Sequence, residues 1–103
     1  MKTLTVFAAS LALLAGAAPA LADEKLAVEK GCTACHAVGK KIVGPDYAEV
    51  AKKYKSDKDA RDKLAASILK GSTGKWGQIP MPPNAKVSEE EAKKLAAWVL
   101  SRS

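Results

Sequence analysis

One short motif limits what this chain can fold into: Cys32-Thr33-Ala34-Cys35-His36. It contains both cysteines and the single histidine of the 103 residues. Thiols and imidazoles are the side chains that most readily bind transition metals or carry out thiol redox chemistry. The fold must therefore accommodate the metal, attached group or redox-active thiols of this one segment.

Three chemistries fit a C-x-x-C sequence that is followed by histidine. The cysteines could form a redox-active disulfide, but that site belongs in a βαβ context, and no convincing strand pattern accompanies it. A zinc site needs four ligands, and no second Cys/His pair completes one. The third chemistry is covalent attachment of haem c. We expect it at Cys32 and Cys35, with His36 as the proximal iron ligand, and keep the disulfide as the alternative.

Residues 1–22 are predicted to be a secretory signal peptide. They begin with Met-Lys-Thr, continue with an apolar run and end in Ala20-Leu21-Ala22, a small-x-small cleavage site. An uncleaved membrane anchor is the weaker alternative, because the apolar run is short. Cleavage leaves one domain, residues 23–103, with no other apolar segment long enough for a membrane span. Export predicts a periplasmic protein and favours haem c, because bacterial haem c attachment takes place outside the cytoplasm.

The predicted mature chain is poor in large apolar side chains. Outside alanine and cysteine it has 19 apolar or aromatic residues among 81. Tyr47, Tyr54 and Trp98 are predicted to be packing residues in this small core. Chains of this size bury little surface and usually need an additional stabilising group. A haem would supply the missing apolar core, so we expect the apoprotein to be largely unfolded.

A second candidate iron ligand lies in the segment Ile79-Pro80-Met81-Pro82-Pro83-Asn84. Three prolines surround Met81, so the segment can be neither a helix nor a central strand. A lone methionine often fills a gap in a core, but a stiff extended loop holds one side chain at a fixed place. We therefore predict Met81 as the distal ligand. It lies 45 residues after His36, so the chain should wrap around the haem.

Apolar periodicity predicts an all-α domain with four short helices and no repeats. The helices are expected at Asp23–Lys30, Asp46–Lys55, Lys58–Lys70 and Ser88–Arg102. Acidic residues would occupy the first turn of the first helix. Ser56 or Asp57 would cap the third helix, and Ser88-Glu89-Glu90-Glu91 would form a capping box for the fourth.

These motifs together resemble those of a known family. The C-x-x-C-H motif, Val43-Gly44-Pro45, Trp76-Gly77 before Ile-Pro-Met-Pro-Pro-Asn and the C-terminal Trp-Val-Leu helix are similar to motifs of class I cytochromes c. The similarity extends over essentially all of residues 23–103 and is more specific for the small bacterial cytochromes c-551 and c-552. It implies the cytochrome c fold, with about four short helices wrapped around one covalently bound haem c.

The resemblance also implies roles for residues around the haem. Pro45 would offer its carbonyl oxygen to the ring N–H of the proximal ligand, which orients the imidazole and raises its basicity. Trp76 would donate its indole N–H to a haem propionate, and Asn84 would hydrogen-bond near the sulfur of the distal ligand. Some relatives place an arginine for a propionate where this chain has Ser67, so that contact is left open.

We predict a one-electron carrier that cycles between Fe(III) and Fe(II), and not an enzyme. Methionine ligation favours the ferrous state and raises the reduction potential. Dry apolar walls act in the same direction. The candidate wall residues are Val38, Ile42, Val43, Ile68 and Ile79. Two alternatives stay open: a haem sensor or peroxidase with an open distal site, and a thiol–disulfide oxidoreductase.

The positive charge of the chain bears on its partners. The predicted mature chain has 16 basic and 11 acidic side chains, a formal charge of +5. A ring of lysines at the haem edge could receive an acidic redox partner: Lys30, Lys40, Lys41 and Lys75. By family analogy the donor is a membrane cytochrome complex and the acceptor a periplasmic reductase or oxidase. We expect no nucleic-acid binding, because the compartment is wrong for it and the charge is spread along the chain. We also expect a monomer with no stable membrane association.

Overall fold

The computed structural model describes residues 18–103. It contains α1 (Ala18–Glu29), α2 (Tyr47–Lys53), α3 (Ala60–Lys70) and α4 (Glu89–Leu100), with a short 3₁₀ turn, Cys32–Ala34, after α1. These residues form no strand, and their β-type pairing is limited to two isolated bridges, His36–Lys41 and Ser72–Met81. The predicted all-α architecture is confirmed, although most predicted helix ends are off by one or two residues.

The first helix begins earlier than predicted, at Ala18 instead of Asp23. Asp23 falls in the second turn of this longer helix, whereas the prediction of an acidic first turn concerns the chain after cleavage and stays a prediction. The predicted signal peptide, residues 1–22, lies mostly outside the described residues, and its cleavage stays a prediction. No helix within residues 18–103 is long and apolar enough to cross a membrane.

Side chains cap α2 and α4 at their N-termini. The Asp46 carboxylate accepts a hydrogen bond from the Ala48 N–H at 2.9 Å. The Ser88 hydroxyl accepts the Glu91 N–H at 3.1 Å, while the Ser88 N–H donates to Glu91 Oε1 at 3.0 Å. The predicted capping box of α4 is confirmed.

The start of α3 differs from the prediction. Its N-cap is Asp59, whose side chain makes no capping hydrogen bond. Asp57 instead accepts the Asp59 N–H at 2.8 Å and the Lys63 ammonium at 2.7 Å. The predicted cap was therefore wrong, because Asp57 stabilises a turn before the helix and the helix begins only at Ala60.

The fourth helix packs against the other three and buries a small core. Half of the twelve buried apolar residues are alanine, and among the described residues Leu95 is the one large side chain that is completely buried. Trp98 is only 5 % exposed in this core, and Tyr47 only 4 %. These helices contribute few large side chains to the space that they share with the loops after α1 and α3.

Candidate functional site

A cavity of ≈ 390 Å³ is lined by the loops that follow α1 and α3, together with residues from the helices. The four side chains predicted to attach haem or bind iron all line it: Cys32, Cys35, His36 and Met81. Four residues that the family resemblance singled out also line the cavity: Pro45, Ser67, Trp76 and Asn84. The fold thus brings together residues from both ends of the domain around one space.

Apolar side chains form much of the cavity wall. Four of the five predicted wall residues line the cavity: Ile42, Val43, Ile68 and Ile79. Val38 does not, and it is 56 % exposed. Its prediction was wrong because the chain turns at Gly39, which has a φ of 79°.

The C-x-x-C-H segment forms a tight turn directly after α1. Gly31 adopts a left-handed φ of 79°, which favours glycine. The Cys35 and His36 N–H groups both donate to the Cys32 carbonyl oxygen, at 3.2 and 3.0 Å. Both cysteines are free, and burial raises the pKa of the Cys32 thiol, although a backbone hydrogen bond partly opposes this. The turn presents both thiols to the cavity.

The His36 imidazole is held by the segment that begins at Gly44. Its Nδ1 lies 2.9 Å from the Pro45 carbonyl oxygen. Because a carbonyl oxygen only accepts hydrogen bonds, Nδ1 carries the proton and Nε2 keeps its lone pair for a metal. The ring lies so close to Gly44 that an added Cβ atom would come within 2.7 Å of Nδ1. Sequence reasoning did not find this role for Gly44, since no local pattern reports a close approach to a side chain.

The loop that carries Met81 is fastened to the chain leaving α3. Ser72 and Met81 exchange two backbone hydrogen bonds, at 2.9 and 2.8 Å. Gly71, which has a φ of 83°, allows this approach, because a Cβ atom there would lie 2.7 Å from the Met81 carbonyl oxygen. The prolines around Met81 suggested a fixed loop, and the structure adds the backbone pairing that holds it in place.

Asn84 and Trp76 make contacts that the sequence did not predict. The Asn84 side-chain amide donates to the Lys30 carbonyl oxygen at 2.9 Å, which ties the Met81 loop to the end of α1. The Lys53 ammonium lies 4.5 Å from the centre of the Trp76 ring. The bond from Asn84 toward the Met81 sulfur and the bond from Trp76 to a propionate stay predictions.

Two buried polar atoms in the cavity wall have no hydrogen-bond partner among the described residues: Tyr47 Oη and Trp98 Nε1. Burial raises the pKa of the Tyr47 phenol well above its ordinary value, with smaller contributions from Cys32 and Cys35. Buried polar groups are normally satisfied, so this wall suits a largely apolar group that carries some hydrogen-bond acceptors. Haem c has an apolar macrocycle and two propionates, and the thiols, imidazole and thioether of the same wall match its chemistry.

Comparison with known proteins identifies the family of this chain. The family model Cytochrome c matches residues 22–103. The chain belongs to the cytochrome c family. It is 58% identical to cytochrome c-552 of Hydrogenobacter thermophilus over 80 residues, 78% of this chain and 81% of that protein. It is 52% identical to cytochrome c-552 of Nitrosomonas europaea over 103 residues, 98% of either chain. The crystal structure of wild-type Nitrosomonas europaea cytochrome c552 matches with a TM-score of 0.76 and 49% identity, covering 78% of this chain and 99% of that one.

Family membership establishes the fold, the cofactor and the broad function. This cytochrome c has the all-α cytochrome c fold and one covalently bound haem c. It is an electron carrier and not an enzyme. The predicted haem c is therefore confirmed, and the alternative of a catalytic pair of free thiols is not supported.

Proposed function

We propose that this cytochrome c is an exported one-electron carrier whose haem is attached through Cys32 and Cys35 and whose iron is held by His36 and Met81. One observation carries the proposal. The hydrogen bond from His36 Nδ1 to Pro45 leaves Nε2 as the ligating atom, and the cavity that contains this imidazole is also lined by Met81.

Haem, when bound, supplies a one-electron couple between Fe(II) and Fe(III). The Met81 thioether is a soft donor that favours the lower charge on iron. The apolar wall, which includes Ile42 and Ile68, disfavours extra positive charge in the same way. Both effects raise the reduction potential relative to a hydrated haem. The proposed ligands also sit on loops that backbone hydrogen bonds hold, so a change of oxidation state requires little movement.

A matched pair of variants in the distal loop tests the ligand assignment. The reduced wild-type protein should bind carbon monoxide poorly, because Met81 closes the distal side. Met81→Ala should bind it readily and have a lower reduction potential. Ile79→Ala changes the same loop without removing a thioether, so it should still bind carbon monoxide poorly and should lower the potential far less than Met81→Ala does. Ready binding by the wild type would favour a haem sensor or peroxidase, and an unchanged potential in Met81→Ala would contradict ligation by Met81.

Export to the periplasm is part of the proposal. Its support is the pattern of residues 1–22 and the start of the family match at residue 22. The test is the mass and cellular fraction of the haem-loaded protein. We expect a chain that begins at Asp23 in the periplasmic fraction, whereas a chain that keeps residue 1 would contradict cleavage.

Redox proteins with acidic docking surfaces are the proposed partners, and the carrier acts on them as a monomer. The upstream donor is a membrane cytochrome complex and the downstream acceptor a periplasmic reductase or oxidase. Lys41 and Lys75 line the cavity, which supports a positive rim there. Lys30 and Lys40 do not line the cavity, and their place in the rim stays a prediction. The Lys30 ammonium donates to the Lys86 carbonyl oxygen at 2.9 Å and lies 3.5 Å from Glu91.

Rates of oxidation by ferricyanide, an anionic probe, test the positive rim. The double variant Lys41→Gln/Lys75→Gln should react more slowly and with a weaker dependence on salt. Lys93→Gln removes an equally exposed charge from α4, away from the cavity lining, and should react like the wild type. Equal rates in all three proteins would contradict a role for the rim.

A further inference from the structure

Tyr47 contacts the proposed proximal ligand, and the proposed function gives this contact no role. Its ring stacks on the His36 imidazole, with ring centres 5.2 Å apart and 27° between the ring planes. We propose that Tyr47 is a positioning residue that sets the rotation of the His36 imidazole about its bond to the iron. This inference rests on the proposed function, because it takes His36 as the iron ligand.

The hydrogen bond to Pro45 does not fix the imidazole plane by itself. It holds one atom, Nδ1, at 2.9 Å from the carbonyl oxygen. An N–H···O bond tolerates a range of orientations about its own direction. Stacking restricts that rotation, because aromatic pairs at this separation favour defined arrangements, offset-stacked or edge-to-face, and the Tyr47–His36 pair is stacked. Tyr47 therefore supplies the constraint that the hydrogen bond lacks.

Tyr47 is itself held firmly enough to act as a template. Its N–H donates to the Ala37 carbonyl oxygen at 3.0 Å. The preceding Asp46 carboxylate accepts the Gly39 N–H at 2.7 Å, which closes the loop between His36 and α2. Trp98 packs against the Tyr47 ring edge to face, with centres 5.0 Å apart. The last helix thus reaches the proposed ligand through two buried aromatic rings.

The plane of an axial imidazole has an electronic effect that can be measured. Its π orbital interacts with one of two iron d orbitals, according to the rotation of the ring. The plane therefore determines the g values of a low-spin ferric haem and the distribution of unpaired spin over the haem methyl groups. A residue that only packs the core changes stability without altering these quantities.

The test compares three haem-loaded ferric variants by electron paramagnetic resonance and proton NMR. Tyr47→Leu removes the stacked ring, and Tyr47→Phe retains it. Tyr54→Leu is the matched control, because Tyr54 also lines the cavity but is not stacked on His36 in the described part of the chain. We expect Tyr47→Leu alone to shift the g values and the haem-methyl resonances. Unchanged spectra in Tyr47→Leu, or equal shifts in Tyr54→Leu, would overturn the inference.

The wild-type protein provides a second measurement that does not depend on whether a variant folds. In the reduced, diamagnetic state, nuclear Overhauser contacts should connect the Tyr47 ring protons with the His36 imidazole protons, and their absence would overturn the stacking. The two failures are distinguishable. A wild-type spectrum without histidine ligation refutes the proposed function. A wild-type His/Met spectrum that Tyr47→Leu leaves unchanged refutes only the positioning role.

Discussion

Ser72 and Met81 are joined by reciprocal backbone hydrogen bonds: the Ser72 N–H donates to the Met81 carbonyl at 2.9 Å, and the Met81 N–H donates to the Ser72 carbonyl at 2.8 Å. This pair attaches the proposed distal ligand to the chain that leaves α3. Gly71 permits the pairing, because its missing side chain leaves room for the Met81 carbonyl oxygen. The position of the distal ligand therefore depends on a backbone contact as well as on the prolines of its own loop.

Gly71→Ala should weaken the proposed bond between Met81 and the iron. Gly71 and Gly74 have positive φ values of 83° and 76°, so alanine at either position should cost about 1–3 kcal/mol of stability. The new methyl group meets the Met81 backbone only at position 71, since no atom lies within 4 Å of it at position 74. Imidazole titration of the ferric proteins should show tighter binding to Gly71→Ala than to Gly74→Ala. Equal affinities would mean that the Ser72–Met81 pair does not support the ligand.

Gly44→Ala should displace the His36 imidazole. The φ of Gly44 is not positive, so alanine causes no left-handed strain, but its Cβ atom would lie 2.7 Å from His36 Nδ1. Gly39→Ala is the converse control, with a φ of 79° and open space around the new methyl group. We expect changed g values and a changed reduction potential in Gly44→Ala. Gly39→Ala should only unfold at a lower temperature, and a wild-type spectrum from Gly44→Ala would refute the close packing of this ring.

The motif chemistry was predictable because residue type and spacing alone carry it. Two thiols and an imidazole within five residues indicate haem c, and a methionine among prolines indicates a fixed loop, which the Ser72–Met81 pairing confirms. The capping box at Ser88 was predictable for the same reason, since both of its hydrogen bonds lie within four consecutive residues. These features need no knowledge of how distant parts of the chain meet.

The contacts that hold the proposed ligands were not predictable, because they depend on tertiary structure. Gly44 and Gly71 matter through the Cβ atom that they lack, and the sequence does not reveal which neighbour that atom would meet. Tyr47 has helical periodicity with Val50, which predicts a buried face but not a stack on His36. The sequence likewise does not predict that Lys30 forms an ion pair with Glu91, which lies far along the chain.

Removing the haem should unfold the domain. The double variant Cys32→Ser/Cys35→Ser cannot attach haem c, yet it changes each side chain by a single atom. The remaining core is half alanine by residue number, so it buries too little large apolar surface to hold four helices together. Far-ultraviolet circular dichroism should show the loss of most helical signal. A native-like spectrum with a cooperative thermal transition would show that the helices pack without haem.

Glu91 connects the start of α4 to the end of α1. Its Oε1 accepts the Ser88 N–H at 3.0 Å, and its Oε2 lies 3.5 Å from the Lys30 ammonium. The hydrogen bond from Ser88, with a smaller contribution from Lys30, lowers the pKa of the Glu91 carboxyl. Its ionised form therefore stabilises the fold above the unfolded-state pKa of about 4.3. That contribution is lost as the pH falls through the lower pKa of the folded state.

Glu91→Gln should therefore be less stable than the wild type at neutral pH, and the difference should vanish in strong acid. Glutamine can still accept the Ser88 N–H, so the substitution removes mainly the charge. Glu90→Gln is the matched control, because Glu90 is exposed in the same first turn and has no ion pair among the described residues. Thermal unfolding followed from neutral to strongly acidic pH measures the difference. If the two variants have the same unfolding temperature at every pH, the charge of Glu91 contributes nothing to stability through Ser88 or Lys30.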